Sequence, residues 1–448
     1  MSDKQPLLPG TSRPECAADK EGGKYNSSRT RFLIIGFVLI WSTVYIFRPL
    51  DVRSNDPSGA AKILTENPLI DGHVDLLIRI RMLWGNQIYG TNFTEPFENG
   101  NTKGHFDLVR AETGQMGGAF WSAWTPCPND AFDFSDEAYA PWVKATLEQI
   151  DLFNRLSAQY PKYFTLARSA QQAENNFKQG KLISPLAIEG LHQIGNSLST
   201  LRLYHDLGVR YATLTWNCHN RYADAAVITM DGKSFASKPY HGGVSEAGRD
   251  LILEMNRLGM LVDLSHVSVD TMRDVLGGSP DKGWDGSLAP PIFSHSSVKS
   301  ICPHPRNVPD DILHLVKERN SLVMVNFSPD FVSCKASNTS NGLPEFVEET
   351  NTIEHVVKHI MHIGKLIGFD HVGIGSDFDG IFSTPKGLDD VSKYPNIVQM
   401  LLDQGVREKE VIKVVGGNLL RVWHEADRVA SRLQKKMHPI EDKLFAKN

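Results

Sequence analysis

The sequence predicts an α/β protein whose main domain is a (β/α)8 barrel, preceded by a disordered tail and one transmembrane helix. Eight short β-rich runs alternate with longer amphipathic segments, and this alternation is typical of a parallel sheet. Eight such strands are the number that closes a barrel. A doubly wound open sheet is the alternative. No Gly-rich phosphate loop follows the first run, which argues against the nucleotide-binding form of that fold.

The predicted elements follow from two kinds of spacing in the apolar residues. Runs rich in β-branched and aromatic residues predict strands at 69–74, 117–123, 183–188, 211–215, 261–264, 291–294, 322–326 and 372–375. Apolar residues three or four positions apart predict helices at 139–156, 198–207, 245–258, 269–275, 353–367 and 407–426.

Length and composition indicate an ordinary globular protein. The 448 residues are enough for one large domain or two average ones, and 41% of them are hydrophobic and 22% charged. The formal net charge of −5 argues against binding to nucleic acid. The cysteines are odd in number, with Cys16 isolated near the start. If the other four lie outside the cytosol, they allow two disulfides in three alternative pairings.

The first residues predict a membrane anchor. Residues 1–31 are rich in Pro, Gly, Ser and charge, and we interpret them as a disordered tail. The uncharged run 32–47 is short for a span, but the flanking Arg31 and Arg48 can extend to the interfaces. A cleaved signal peptide is the alternative, although its charged region would be unusually long and no small-X-small cleavage site follows closely.

The charges around the run 32–47 predict its orientation. Basic residues are more numerous before the run than after it, so the tail is expected in the cytosol and the rest outside the cell or in a lumen. This gives a type II membrane protein. In that compartment Asn92 and Asn338 are candidate glycosylation sites. Asn326 also fits the pattern, but it ends an apolar strand and is expected to be inaccessible.

Ligand-type residues follow five of the predicted strands. His73 and Asp75 share one face of the first strand because strand side chains alternate with period two. The other strand ends carry Glu189, His266, His295, Asp377 and Asp379. In a barrel, these carboxyl ends meet at the face that carries the active site. Three histidines with carboxylates fit a zinc site, and a glutamate can bridge two ions.

With these residues in place, the sequence resembles the membrane (renal-type) dipeptidases, a branch of the amidohydrolase-like barrels that binds two zinc ions. The resemblance extends from about residue 63 to residue 423. It rests, in order, on IDGHVDLL, LAIEGLHQIG, GVRYATLT, DLSHVS, PIFSHSSVKSICPHPRNVPDD, LVMVNF and HVGIGSDFDG. The implied domains are a linker at 48–62, a zinc dipeptidase barrel at 63–430 and a C-terminal tail at 431–448.

The resemblance implies a ligand set for two zinc ions. His73, Asp75 and Glu189 would hold one ion, and Glu189, His266 and His295 would hold the other. The expected nucleophile is a water or hydroxide between the ions. The implied activity is therefore that of a metallodipeptidase with dipeptides as substrates.

Further roles are implied at matching positions. Asp377 would transfer the proton from the water to the leaving amine, with Asp379 as the less favoured candidate. Arg306 would bind the C-terminal carboxylate of the substrate through two parallel hydrogen bonds. Because a longer peptide would continue at that point, this contact would restrict the enzyme to dipeptides.

The resemblance also implies the assembly of the chain. It pairs Cys127 with Cys218 and Cys302 with Cys334, and it suggests a homodimer. Familiar animal members carry a C-terminal lipid anchor, whereas residues 433–448 are polar, so the N-terminal span is expected to anchor this protein.

One position departs from the family pattern. Trp216 stands where members usually have a histidine that assists substrate binding and the oxyanion. An indole can donate one hydrogen bond but carries no proton or charge. His219 either replaces that histidine or is a loop residue. Loss of one oxyanion donor costs roughly 10²–10³ in rate. Two alternatives follow: a catalytically impaired, membrane-displayed binding protein, or a hydrolase of another small amide.

Overall fold

The structure, a computed structural model, describes residues 59–442. The predicted tail 1–31, span 32–47 and most of the linker 48–62 lie outside the described residues and stay predictions. Within 59–442, no helix is both long enough and apolar enough to cross a membrane.

A nearly closed barrel of eight parallel strands confirms the predicted fold class for residues 59–442. Its strands follow chain order around the barrel, which is not the order of a doubly wound sheet. Backbone contacts join the first strand to the segment after the last, with the Asp75 N–H donating to the Phe378 carbonyl at 2.9 Å. The barrel strands are β1 Leu69–Val74, β2 Met116–Ala123, β3 Leu186–Glu189, β4 Val209–Thr213, β7 Leu261–Asp263, β8 Ile292–Phe293, β9 Leu322–Val325 and β12 Val372–Ile374.

The third strand starts later than its apolar run predicts. Ile183 makes one isolated bridge to Gly118 before regular pairing begins at Leu186. Pro185 lies between them and has no N–H to donate to the ladder. The sequence analysis did not predict the two small antiparallel pairs, β5 Val227–Met230 with β6 Lys233–Ala236 and β10 Cys334–Lys335 with β11 Glu345–Phe346.

Helices surround the barrel, and several short ones near its start were not predicted. The α-helices are Ala60–Glu66, Leu76–Trp84, Thr91–Asn99, Leu108–Thr113, Asp136–Gln159, Ala170–Lys178, Leu198–Leu207, Glu246–Leu258, Val269–Gly277, Asp310–Glu318, Pro329–Val332, Ile353–Ile367, Tyr394–Asp403, Glu408–Ile412 and Asn418–Leu433. The predicted helix 407–426 contains a π-helical turn at Lys413–Gly417. A Cβ on Gly416 would lie 2.2 Å from the Pro68 carbonyl oxygen, so this turn lets the backbone of the helix approach the entry to β1.

The core has two parts because strand residues alternate between two environments. Ile70, Phe120 and Tyr211 belong to one buried cluster, which the last helix joins through Trp423. The rings of Phe120 and Trp423 lie 5.4 Å apart. Neighbouring strand residues such as Trp121 belong to the larger cluster shared with the surrounding helices. The polar ligands at the strand ends are therefore held above a packed apolar interior.

The C-terminal segment packs onto the barrel domain as far as the structure describes it. The last helix runs through residue 430, the predicted end of the barrel domain, to Leu433. Asp442 accepts hydrogen bonds from the N–H groups of Leu198 and Ser199 at 2.6 and 3.0 Å, at the start of a helix. The beginning of the predicted tail 431–448 is thus part of the packed domain.

Both predicted disulfides are present. Cys127 bonds to Cys218 and Cys302 bonds to Cys334. These bonds confirm the pairing that the family resemblance implies.

The candidate glycosylation sites differ in exposure. Asn92 and Asn338 are exposed, as a modified asparagine must be. Asn326 is fully buried, which agrees with its predicted inaccessibility. Glycosylation of the two exposed residues stays a prediction.

Candidate active site

The predicted metal ligands meet at the carboxyl end of the barrel, with Glu189 between two groups. Its Oε2 lies 3.4 Å from His73 Nε2, and its Oε1 lies 2.8 Å from His266 Nε2 and 3.3 Å from His295 Nε2. Asp75 Oδ2 lies 3.1 Å from His73 Nε2. The two oxygens of one carboxylate therefore face two separate sets of donors.

These donors fit metal ions. The ligand atoms of His73, Asp75 and Glu189 lie within 4.8 Å of one another, and so do those of Glu189, His266 and His295. Asp75 Oδ1 is buried with no hydrogen-bond partner among residues 59–442, so it can accept a cation. Imidazole and carboxylate donors are the set that zinc prefers at hydrolytic sites.

The ionisable side chains of this cluster shift one another's pKa values. Burial alone would raise the pKa of Glu189, but His73, His266 and His295 hold that pKa well below its usual range. Burial lowers the pKa of His266 to about 3. His73 differs from the other two histidines. Burial alone would lower its pKa, but Tyr211, Asp75 and Glu189 raise that pKa well above 6.5, so this ring is protonated while no metal is bound. Metal binding requires an ionised carboxylate and neutral imidazoles, so it would displace the proton from His73.

Partners of the Nδ1 atoms turn each histidine toward the cluster. His73 Nδ1 lies 2.5 Å from the Tyr211 hydroxyl, which donates to the Gly72 carbonyl and so accepts from the ring. His266 Nδ1 lies 2.9 Å from Asn217 Oδ1, an acceptor. A proton on Nδ1 leaves the lone pair of Nε2 free for a metal.

A buried polar chain fixes the third histidine in the same way. His295 Nδ1 lies 2.8 Å from Ser294 Oγ, which donates to Asp263 Oδ2 at 2.6 Å. Thr213 Oγ1 donates to the same oxygen at 2.5 Å. Sequence reasoning missed these supporting residues. Asp263 offered a signal, because it is a carboxylate at the end of an apolar strand, three residues before His266.

Asp377 lies beside the cluster in a strained turn. One of its carboxylate oxygens lies within 4.8 Å of a ring nitrogen of His73 and of His295. Asn326 Nδ2 donates to its Oδ2 at 3.1 Å. Its φ of 68° is in the left-handed region, which is uncommon for residues other than glycine. Burial, with the nearby negative charge of Asp75, raises the pKa of Asp377 to about 8.

Asp379 faces another partner. Its Oδ1 accepts from the His105 N–H at 2.6 Å, and its own N–H donates to His105 Nδ1 at 2.9 Å. Burial raises its pKa to about 6. The two aspartates of this turn therefore have different neighbours. Asp377 lies next to the candidate metal ligands, and Asp379 lies against the segment that contains His105.

Arg306 is buried next to the site. Its guanidinium lies 5.1 Å from the ring centroid of Phe331, and its Nη1 donates weakly to Ser296 Oγ at 3.5 Å. Its Nε and Nη2 have no partner among the described residues. Burial lowers the pKa of Arg306 to about 10, so the side chain is cationic at neutral pH.

A cavity of about 340 Å³ opens onto the cluster. Its walls combine charged and apolar side chains and belong to loops that follow several strands. The lining residues are Asp75, Ile78, Arg79, Met82, Trp124, Glu189, Trp216, Asn217, His266, Ser328, Phe331, Asp377, Asp379, Gly380, Ile381 and Phe382.

Comparison with known proteins matches this geometry to a family. The family model described as membrane dipeptidase (peptidase family M19) matches residues 58–437. The chain belongs to the membrane dipeptidase family. This confirms the resemblance read from the motifs, and the family is one of metal-dependent peptidases.

Two curated relatives of this chain come from fungi. Dipeptidase aclJ of Aspergillus oryzae is 41% identical over 383 residues, which is 85% of this chain and 83% of the relative. An uncharacterized dipeptidase of Schizosaccharomyces pombe, C3A11.10c, is 42% identical over 385 residues, 85% of this chain and 86% of the relative.

A solved structure of similar fold is that of a metallo peptidase from Rhodobacter sphaeroides liganded with a phosphinate mimic of the dipeptide L-Ala-D-Ala. It matches with a TM-score of 0.65 and 25% identity, over 80% of this chain and 99% of that one.

Trp216, the departure from the family pattern, forms part of the cavity wall. Its ring meets Trp124 edge to face with centroids 4.9 Å apart, and it lies 6.2 Å from the His266 ring. The Cys127–Cys218 disulfide joins the two loops that carry these tryptophans. This member of the family therefore has an aromatic surface at the position where the resemblance implies a histidine.

His219 does not line this cavity. Its Nδ1 lies 3.1 Å from Asp224 Oδ1 and its Nε2 lies 2.9 Å from Ser237 Oγ. Both ring nitrogens are engaged in a network within the loop, which favours the second of the two alternatives, a loop residue. Its sequence distance from Trp216 gave no indication of this separation.

Proposed function

We propose that the protein hydrolyses dipeptides with two zinc ions held by His73, Asp75, Glu189, His266 and His295. The observation that carries the proposal is the position of Glu189, whose two carboxylate oxygens face two donor sets. Bound zinc would supply Lewis acidity and lower the pKa of water, so that a nucleophile forms at neutral pH.

Asp377 is the proposed proton carrier. A carboxyl group with a pKa of about 8 exchanges protons near neutral pH. It would accept a proton from the attacking water and deliver it to the leaving amine. Asp379 is excluded from this role in the proposal, because its carboxylate is directed to His105.

Arg306 is the proposed carboxylate receptor. Two of its nitrogens are buried without partners, and a guanidinium can bind a carboxylate through two parallel bonds. Leaving these donors unpaired costs free energy that an anionic ligand would recover. A longer peptide would place its next residue at this point instead of a carboxylate, which supports a preference for dipeptides.

A second candidate function follows from Trp216. Because an indole cannot hold a proton or charge, the site would turn over dipeptides slowly or would prefer another small amide. A membrane-displayed binding protein that keeps its metal is the extreme form of this alternative.

Zinc content and hydrolysis of a dipeptide panel, measured for the wild type and for Trp216→His, test the proposal. Two zinc ions with turnover in the wild type would support a dipeptidase that works without the usual histidine. Zinc with turnover only in Trp216→His would support the binding protein. Turnover of cyclic or acylated amides but not of dipeptides would support the other hydrolase, and absence of zinc would contradict the main proposal.

We further propose, from sequence alone, that residues 32–47 anchor the protein with its barrel outside the cytosol. Resistance of the full chain to alkaline extraction from membranes, with glycans on Asn92 and Asn338, is the expected result. The homodimer is likewise a proposal, tested by light scattering of the purified protein.

A further inference from the structure

One carboxylate oxygen in the cavity lacks a partner. Asp379 is 6% exposed, and its Oδ2 is buried with no hydrogen bond among residues 59–442. A buried, unpaired oxygen of an ionisable group is costly unless a ligand satisfies it. Asp379 also lines the cavity, so this oxygen belongs to a side chain in the cavity wall.

Its other polar atoms are fixed by His105. Oδ1 accepts the His105 N–H at 2.6 Å, and the Asp379 N–H donates to His105 Nδ1 at 2.9 Å. Burial lowers the pKa of His105 to about 4, so this ring is neutral and does not balance the charge of the carboxylate. The side chain is thereby held in one orientation while Oδ2 stays free.

Nearby cations are engaged elsewhere. Within the described part of the chain, no lysine or arginine nitrogen lies within the 4.0 Å ion-pair limit of Asp379. The guanidinium of Arg79 donates to the Lys103 carbonyl, and that of Arg110 binds Asp107. Burial raises the pKa of Asp379 and the charges of Arg79 and Arg110 lower it, but neither arginine pairs directly with its carboxylate.

The turn that carries Asp379 also lies directly against the metal ligands. A Cβ on Gly380 would lie 2.2 Å from Asp75 Oδ2 and 2.7 Å from Asp377 Oδ1. Only glycine fits there, and Asp379 is thus one residue from a backbone that touches both carboxylates. A group bound at Asp379 is close to the reacting centre.

A free dipeptide carries opposite charges at its two ends. With Arg306 as the receptor for the carboxylate, the ammonium end needs an anionic partner. We propose that Asp379 binds the protonated α-amino group of the substrate and so selects peptides with a free N-terminus. This inference rests on the proposed dipeptidase function and assigns a specificity-determining residue to it.

The test compares the wild type with Asp379→Asn on a free dipeptide and on its N-acetyl form. Asparagine keeps an oxygen for the His105 N–H but removes the charge. We expect kcat/KM for the free dipeptide to fall about 10–100-fold, mainly through KM, because a charged hydrogen bond is lost. Hydrolysis of the N-acetyl dipeptide is expected to change by less than about threefold, so that discrimination between the two is lost.

Asp390→Asn is the matched control. Asp390 lies 3.5 Å from Arg110 in the neighbouring loop, and it does not line the cavity. Asp390→Asn removes one negative charge in the same way and is expected to leave the ratio of kcat/KM for the free and the N-acetyl dipeptide unchanged. An equal loss on free and N-acetyl dipeptides in Asp379→Asn would mean that Asp379 only holds the loop, and would overturn the inference.

Binding separates this inference from the proposed function. Calorimetry with a phosphinate dipeptide mimic, with and without an N-acetyl group, needs no turnover. Tighter binding of the free-amine mimic to the wild type, lost in Asp379→Asn, would support the amine site even in an enzyme that hydrolyses no dipeptide. Equal affinities of both mimics for the wild type would overturn the amine site, even in a protein that hydrolyses dipeptides.

Discussion

The metal cluster and the wall of the cavity lie next to each other but are held in different ways. The candidate ligands His73 and Glu189 lie at the ends of β1 and β3, and each histidine of the cluster has a hydrogen-bond partner on its Nδ1. The wall comes from loops. Trp216 and Trp124 depend on a disulfide, and Asp379 depends on its contacts with His105.

This difference separates chemistry from selectivity. Strand ends are fixed by the ladder on both sides, so the candidate metal donors are held close together. Loops can change sequence without disturbing the ladder, and Trp216, at the position where the resemblance implies a histidine, lies in a loop. We therefore expect changes in the cluster to abolish the reaction and changes in the wall to alter substrate choice.

Glu189→Ala should have the largest effect. It removes the carboxylate between the two donor sets, so zinc content and activity should fall together, with turnover reduced by about 10⁴-fold. Metal analysis and a dipeptide assay on the same preparation measure both. A variant that retained two zinc ions and full activity would contradict the assignment of this cluster as the metal site.

Asp377→Asn should rank second and separates binding from catalysis. The amide keeps the shape of the side chain but carries no proton, so turnover should fall about 10²–10⁴-fold while zinc content stays unchanged. If zinc is lost as well, Asp377 acts as a ligand and not as the proton carrier.

Tyr211→Phe tests whether the support of the cluster matters. It removes the hydroxyl 2.5 Å from His73 Nδ1 and should weaken zinc binding about 10–100-fold. Tyr139→Phe is the control, since the Tyr139 hydroxyl is buried without a partner among residues 59–442. Competition with a chelator gives the affinities, and equal values for both variants would contradict this role.

Asp224→Asn should have the smallest effect on catalysis and tests how the loops are held. Burial alone would raise the pKa of Asp224, but His219 and the N–H groups of His241 and Gly243 hold it at about 2, below its ordinary 3.8. This carboxylate therefore stabilises the fold fully above about pH 4, and the stabilisation is lost as pH falls through about 2.

At neutral pH, Asp224→Asn should reduce the free energy of unfolding by about 1–3 kcal/mol. In thermal melts, the difference in melting temperature between Asp224→Asn and the wild type should become smaller as the pH is lowered below about 4. Asp231→Asn, at an exposed position in the same region, should melt like the wild type throughout. If the difference in melting temperature between Asp224→Asn and the wild type stayed constant with pH, the charge of the Asp224 carboxylate would not be the source of the stabilisation.

The apolar runs in the sequence predicted the strands well because the strand residues are buried in the structure. The prediction for β1 is correct at both ends, while regular pairing of β3 begins three residues later than predicted because Pro185 interrupts the ladder. The short helices before β2, such as Thr91–Asn99, were missed, since little apolar periodicity marks so few residues. The motifs at the strand ends identified the ligands, whereas the loops gave no comparable signal.

The sequence by itself determined the eight strands and the ligand-type residues at their ends, because both depend on short local motifs. The family resemblance supplied the barrel and the pairing of the cysteines, which the residues alone left open. Only the tertiary structure decided which way the loop side chains face. It placed His219 against Asp224, Trp216 in the cavity wall and Asp379 against His105. Those directions depend on contacts between segments far apart in the chain, which no local spacing encodes.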